Sequence, residues 1–178
     1  MLQGIQISVP GKKSESAVDM LTACHDRIRN FTSVVRKLAH AEGSAPEEIV
    51  AAAGGAHRYF TVALPLHEAD EEESLRPRLM ASSTPEIGAA LDAMTHQHEA
   101  IDDLIDRLLP LLVLLGSNPS KLPEVHGELC TLSKALGEVF DGHLQLEEGV
   151  IFPAAASMLD VAAQAAILQE MQERRKQG

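Results

Sequence analysis

Tryptophan is absent, tyrosine occurs once and phenylalanine four times among 178 residues, too few aromatics for a surface that stacks nucleobases. Positive charge is also short: 15 Lys and Arg stand against 26 Asp and Glu, a net charge of −11 and a pI near 5.1. A polyanion would be repelled unless basic residues clustered, so no nucleic-acid partner is expected. The one basic run, "ERRKQ" at 173–177, follows a helical pattern where Lys and Arg suit the negative end of the helix dipole, and reads as a solvated end. Cys24 and Cys130 are the only cysteines and have no metal-type spacing. That excludes a disulfide framework or a CxxC zinc site and leaves two core thiols. No run of 18 apolar residues exists, and "MLQGIQISVPGKK" lacks the basic-then-apolar order of a signal peptide. Neither membrane insertion nor export is supported, and a cytoplasmic location is expected. A glycine-rich phosphate loop, a nucleophile elbow and a Ser/His/Asp arrangement are all missing, so hydrolase and nucleotide-binding classes have no footing.

What the chain does have is apolar periodicity. Leu91, Met94, His98, Ile101, Ile105, Leu108 and Leu112 recur three and four apart, as do Val18, Leu21, His25, Ile28, Thr32 and Val35 after the polar start "KSES". This is the seam of bundle helices, with His98 and His25 in the buried register. The breakers "EGSAP" (42–46), "SSTP" (82–85) and "GSNPSKLP" (116–123) divide the chain into four helices of roughly 25 to 30 residues. Pro153 reads as a further break, followed by a shorter fifth helix in "LDVAAQAAILQEMQERR". Pro65 and Pro110 predict kinks or early ends. The expected fold is all-α: an up-down-up-down four-helix bundle over 14–178, with residues 1–13 as an extended arm.

The chain also repeats itself. "HEADEEESLRPRL" (67–79) aligns with "HLQLEEGVIFPAA" (143–155) at an offset of 76, matching His67 to His143, Glu71 to Glu147, Glu72 to Glu148 and Pro77 to Pro153. At an offset of 73, His25 matches His98. Each half is therefore a helix with one His followed by a helix with His-x-x-x-Glu. Four residues bring both side chains to one helical face, so each His/Glu pair can grip one ion. Two carboxylates left in a bundle core would cost several kcal/mol apiece without a partner, and a cation removes that difficulty. Imidazole with carboxylate suits iron, manganese or zinc better than calcium or magnesium, and six ligands suggest two ions. Asp70, Glu72 and Glu73 read as a solvated acidic face, and His40, His57 and His126, outside the repeat, as surface or loop residues.

These motifs resemble the hemerythrin-like, or HHE cation-binding, domain family over about residues 15 to 175. The resemblance implies a non-haem di-iron centre between four helices, oxo-bridged in its ferric form, with iron ahead of zinc or manganese. Carried over by position, one iron takes His25 and His67, the other His98 and His143, with Glu71 and Glu147 bridging. Oxygen-carrying members have a fifth His where this chain has Met94, and His96 lies on another face. The resemblance thus points away from reversible oxygen carriage. Glu68, directly after His67, occupies the place where an iron-sensing F-box member uses a carboxylate, which implies an additional ligand. Tyr59, about two turns before His67, could offer its hydroxyl to a bound oxygen species. The implied role is sensing, detoxifying or handling dioxygen, peroxide, nitric oxide or iron, as a metal-binding protein more than a dedicated enzyme. The alternatives are a ferroxidase or peroxidase-like enzyme and an interaction scaffold with a structural metal.

Overall fold

The polar start of the chain's first helix works as expected: the Ser16 hydroxyl accepts the Asp19 N–H at 3.0 Å, satisfying one of the free donors of helix α1, Ala17–Ala39. The computed structural model describes residues 16–177, so the expected arm at 1–13 lies outside the described residues. Helix α1 gives way to a turn in which Gly43 takes a positive φ of 80°, a conformation that glycine adopts without a Cβ penalty. The second rod, α2, covers residues 46–80 and opens on Pro46 with Glu47 and Glu48 in its first turn, a favourable start for a helix. Helix α3 is Pro85–Ser117, capped by the Thr84 hydroxyl. A 3-10 turn, Pro119–Lys121, leads into α4, residues 122–158. Helix α5, Val161–Gln177, starts where the Asp160 carboxylate accepts the Ala163 N–H at 2.7 Å.

The short connections make successive helices antiparallel, and α1 closes the ring by packing on α4. The result is the expected all-α up-down-up-down bundle, with α5 laid against α1 and α2. No helix among the described residues is long and apolar enough to cross a membrane.

Two expectations about proline are corrected. Pro153 does not break α4, and Pro65 does not end α2. Helix α2 runs as Pro46–Arg58, a π-helical segment Tyr59–Ala63, Leu64–Ala69, a second π segment Asp70–Leu75, and Arg76–Met80. Helix α4 runs as Leu122–Leu146, a π segment Glu147–Ile151 and Phe152–Met158. In all three cases the residue before a proline donates its N–H five residues back: Leu64 to Tyr59, Arg76 to Glu71 and Phe152 to Glu147. The wider turn absorbs a residue where the proline ring would crowd the carbonyl four back, so the rod continues. Pro110 lies within α3 without ending it. It and Asp106, whose carbonyl it deprives of a partner, are both exposed, so water can take the donor's place.

Among the described residues the core has two apolar clusters. One, toward the α1–α2 loop, contains Ile28, Leu64, Ile101 and Leu144. The other contains Leu21, Leu75, Leu91, Met94 and Ile151, with Ile167 and Met171 from α5. Along every rod of the bundle the histidines and glutamates of the repeat fall between these clusters, forming one polar layer across the fold.

Candidate metal centre

That layer brings together all six residues singled out by the repeat. His25, His67, Glu71, His98, His143 and Glu147 are each at most 6% exposed. Their donor atoms form two groups, His25/His67/Glu71/Glu147 and Glu71/His98/His143/Glu147, each with its ligand atoms within 4.8 Å of one another. Both carboxylates belong to both groups. Glu147 lies 3.0 Å from His25 Nε2 and 3.3 Å from His143 Nε2, one oxygen toward each, and Glu71 lies 3.3 Å from His67 Nε2 and 3.2 Å from His98 Nε2 in the same manner.

None of these contacts satisfies its atoms. Both oxygens of Glu71 and of Glu147, and Nε2 of His25, His67 and His98, are buried without a hydrogen-bond partner, a condition that soluble proteins avoid unless something binds there. Without a cation, burial favours the uncharged forms of four of these side chains. Burial pushes Glu147 up to about 8 and Glu71 well above the usual carboxylate range, while burial and the neighbouring imidazoles hold His143 down to about 3 and His67 well below its usual value. A divalent cation favours the opposite forms of the carboxylates and accepts the free imidazole lone pairs, so the donors present fit a metal.

The imidazoles are also aimed. His25 Nδ1 meets Glu148 Oε1 at 2.8 Å, His98 Nδ1 meets Glu72 Oε1 at 2.9 Å and His143 Nδ1 meets Gln97 Oε1 at 3.2 Å. Each partner is an acceptor, so Nδ1 carries the proton and Nε2 presents its lone pair to the layer's centre. This is the outer-shell arrangement that fixes tautomer and ring direction in metal-binding histidines. His67 is the exception, its Nδ1 being buried without a partner. Glu148 is held in turn by Arg29 at 2.7 Å, and Glu72 by the Thr95 hydroxyl at 2.7 Å.

The acidic run "DEEES" is therefore not a plain solvated face. Glu72 orients His98, and Asp70 is fully buried between Arg174 Nη1 at 2.9 Å and Arg175 Nη2 at 2.6 Å. The reading of "ERRKQ" as a solvated end is corrected by the same pairs: two of its arginines bind a buried carboxylate. The alignment of Glu72 with Glu148 was the available signal for the orienting pair. Gln97 and the two arginines had no repeated partner to mark them.

Glu68 and Tyr59 stand outside both donor groups. Glu68 is half-buried with one unpartnered oxygen, its carboxyl raised to about 7 by burial and by Asp102. Tyr59 belongs to the loop-side cluster, stacked on Phe31 at 4.2 Å, and burial raises its hydroxyl far above the ordinary value. Met94 is fully buried in the opposite cluster. Cys24 is buried and its sulfur receives the Arg27 guanidinium at 2.9 Å. Both cysteines are free, and Cys130, read as a core thiol, is only half-buried beside His126.

No curated protein matches this chain. The Hemerythrin HHE cation binding domain family matches residues 16–155, from the cap of α1 into the last turns of α4 and short of α5. With a four-helix bundle among the described residues, a duplicated motif and buried His/Glu groups that fit a metal site, the chain belongs to the hemerythrin HHE cation-binding domain family.

Proposed function

We propose that this protein binds a non-haem di-iron pair and uses it to sense, detoxify or handle dioxygen, peroxide, nitric oxide or iron. His25 and His67 would hold one iron, His98 and His143 the other, with Glu71 and Glu147 shared. The observation that carries this reading is the pair of buried carboxylates without hydrogen-bond partners, each common to two groups of four donors. Iron when bound supplies redox chemistry and Lewis acidity toward small oxygen and nitrogen ligands.

The chain's own part is to bind, orient and exclude water. Glu148, Glu72 and Gln97 keep the Nδ1 protons of their histidines in place, so the Nε2 lone pairs need no rearrangement on binding. Phe152 stacks on the His25 ring at 5.0 Å, and Leu21 and Met94, both fully buried, close the layer on that side. Two histidines per group leave coordination positions for a small ligand, as in other non-haem iron sites with open positions.

Metal analysis tests the reading. The full-length chain loaded with ferrous iron should retain about two ions per chain, one for each donor group. The double variant His67→Ala/Glu71→Gln should lose most of that iron while keeping its helical circular dichroism. Stoichiometric iron in the double variant would reject the assignment, and zinc instead of iron in cells supplied with both would favour a structural metal. Glu68 supports a second reading, a ferroxidase-type activity: it directly follows His67 and is half-buried with one unpartnered oxygen, an acidic group suited to passing a cation inward. Continuous oxidation of ferrous iron beyond the bound equivalents, slowed in Glu68→Ala, would favour that enzyme. A single stoichiometric oxidation would count against it.

A further inference from the structure

Helix α5 lies outside the residues matched by the family, yet it is bonded to the π segment that carries Glu71. Arg174 donates to Asp70, to the Ser74 hydroxyl at 2.8 Å and to Glu73 at 3.1 Å, so three residues of Asp70–Leu75 hang from one guanidinium. Arg175 takes the second oxygen of Asp70 at 2.6 Å. One turn earlier on α5, Glu170 accepts both terminal nitrogens of Arg78, at 3.0 and 2.7 Å, directly after the segment. Ile167 and Met171 bury the apolar side of the same helix.

We infer that Arg174 and Arg175 are positioning residues of the metal centre, fixing the Glu71 carboxylate by holding the π turn on which it stands. The inference rests on Glu71 being a shared ligand. A π turn differs from an α turn by one residue, and each residue turns the helix by about 100°. Slippage to the α register would therefore swing side chains in this turn off the centre. The bonds from Arg174 to Asp70, Glu73 and Ser74 and from Arg175 to Asp70 oppose that slippage. The arginines also give the fully buried Asp70 carboxylate its partners, which it would otherwise lack beside Glu71. At the 76-residue offset the position of Asp70 is Leu146, which packs in the apolar cluster, so the α4 segment has no buried acid there and is tied instead through Glu148 to Arg29 of α1.

The test is ferrous-iron affinity of the full-length chain, read by competition with a chromophoric chelator. Arg174→Gln/Arg175→Gln should bind iron about 10- to 100-fold more weakly, the range for lost outer-shell support. Met171→Ala, which loosens α5 through its apolar contact alone, should melt lower but bind iron like the wild type. Wild-type affinity in the arginine variant would overturn the inference, and so would an equal loss in Met171→Ala, which would reduce α5 to a packing element. If the double variant fails to fold, Arg174→Gln alone, with Arg174→Lys as the charge-conserving rescue, is compared with Met171→Ala in the same way. A wild-type chain that retains no iron would overturn both this inference and the proposed function, whereas iron retained equally by all variants would overturn this inference only.

Discussion

In His25, His98 and His143 one ring nitrogen, Nδ1, meets an acceptor while Nε2 faces the polar layer. Since Nδ1 of His98 and His25 must donate to Glu72 and Glu148, Glu72→Ala and Glu148→Ala should each weaken iron binding about 10- to 100-fold, and the Gln variants, which keep an acceptor oxygen, by much less. Chelator competition would check this; equal losses in the Ala and Gln variants would show that charge, not ring orientation, matters there. Met94 makes a complementary case. It is fully buried in the apolar cluster, so Met94→Leu should leave iron affinity unchanged and shift stability by less than about 1.5 kcal/mol. A large fall in affinity would instead assign its sulfur to the metal. These roles were unequally legible in the sequence. The six donors could be read because duplication singled them out from eight histidines and many acids. Glu72 was hidden although it aligned with Glu148, because an acidic run ordinarily means a solvated surface. Asp70 was hidden because its partners lie about a hundred residues away.

At the level of elements, the helices and their seams followed from three- and four-residue spacing, and the π turns did not. Tyr59 and Pro65, Glu71 and Pro77, and Glu147 and Pro153 share one six-residue spacing, but proline in a helical pattern conventionally signals an end. Here the ring crowds the carbonyl four back, the N–H before it reaches five back, and the helix widens, in the turns before Pro77 and Pro153 at the inward-facing Glu71 and Glu147. Restoring an N–H at these points should therefore favour the α register. Pro77→Ala and Pro153→Ala are expected to retain or raise helical circular dichroism while lowering the iron held per chain. Full iron occupancy in both would show that the π turns do not depend on proline and are set by packing alone.

For the whole molecule, a polar layer separates two apolar clusters, and without metal burial favours the protonated forms of Glu71 and Glu147 and the neutral forms of His67 and His143. The pH dependence follows with a definite sign. Glu147, raised from 4.5 to about 8, binds its proton more tightly folded than unfolded, and Glu71 is raised likewise, so the metal-free chain loses stability as pH climbs from 4.5 through about 8. His143, lowered from 6.5 to about 3, and His67, also lowered, act the other way, so stability is lost as pH falls below 6.5. The opposing slopes overlap between these ordinary values, and metal-free protein should be most stable there, melting at lower temperature both toward pH 3 and from pH 6.5 to 8. A bound divalent ion holds the carboxylates ionised, removing the alkaline loss, and protons released on binding make affinity rise over the same interval. Thermal melts in chelator and in saturating manganese, a redox-inert stand-in, should diverge progressively above pH 6.5. Parallel curves up to pH 8 would mean that the buried carboxylates do not bind the ion.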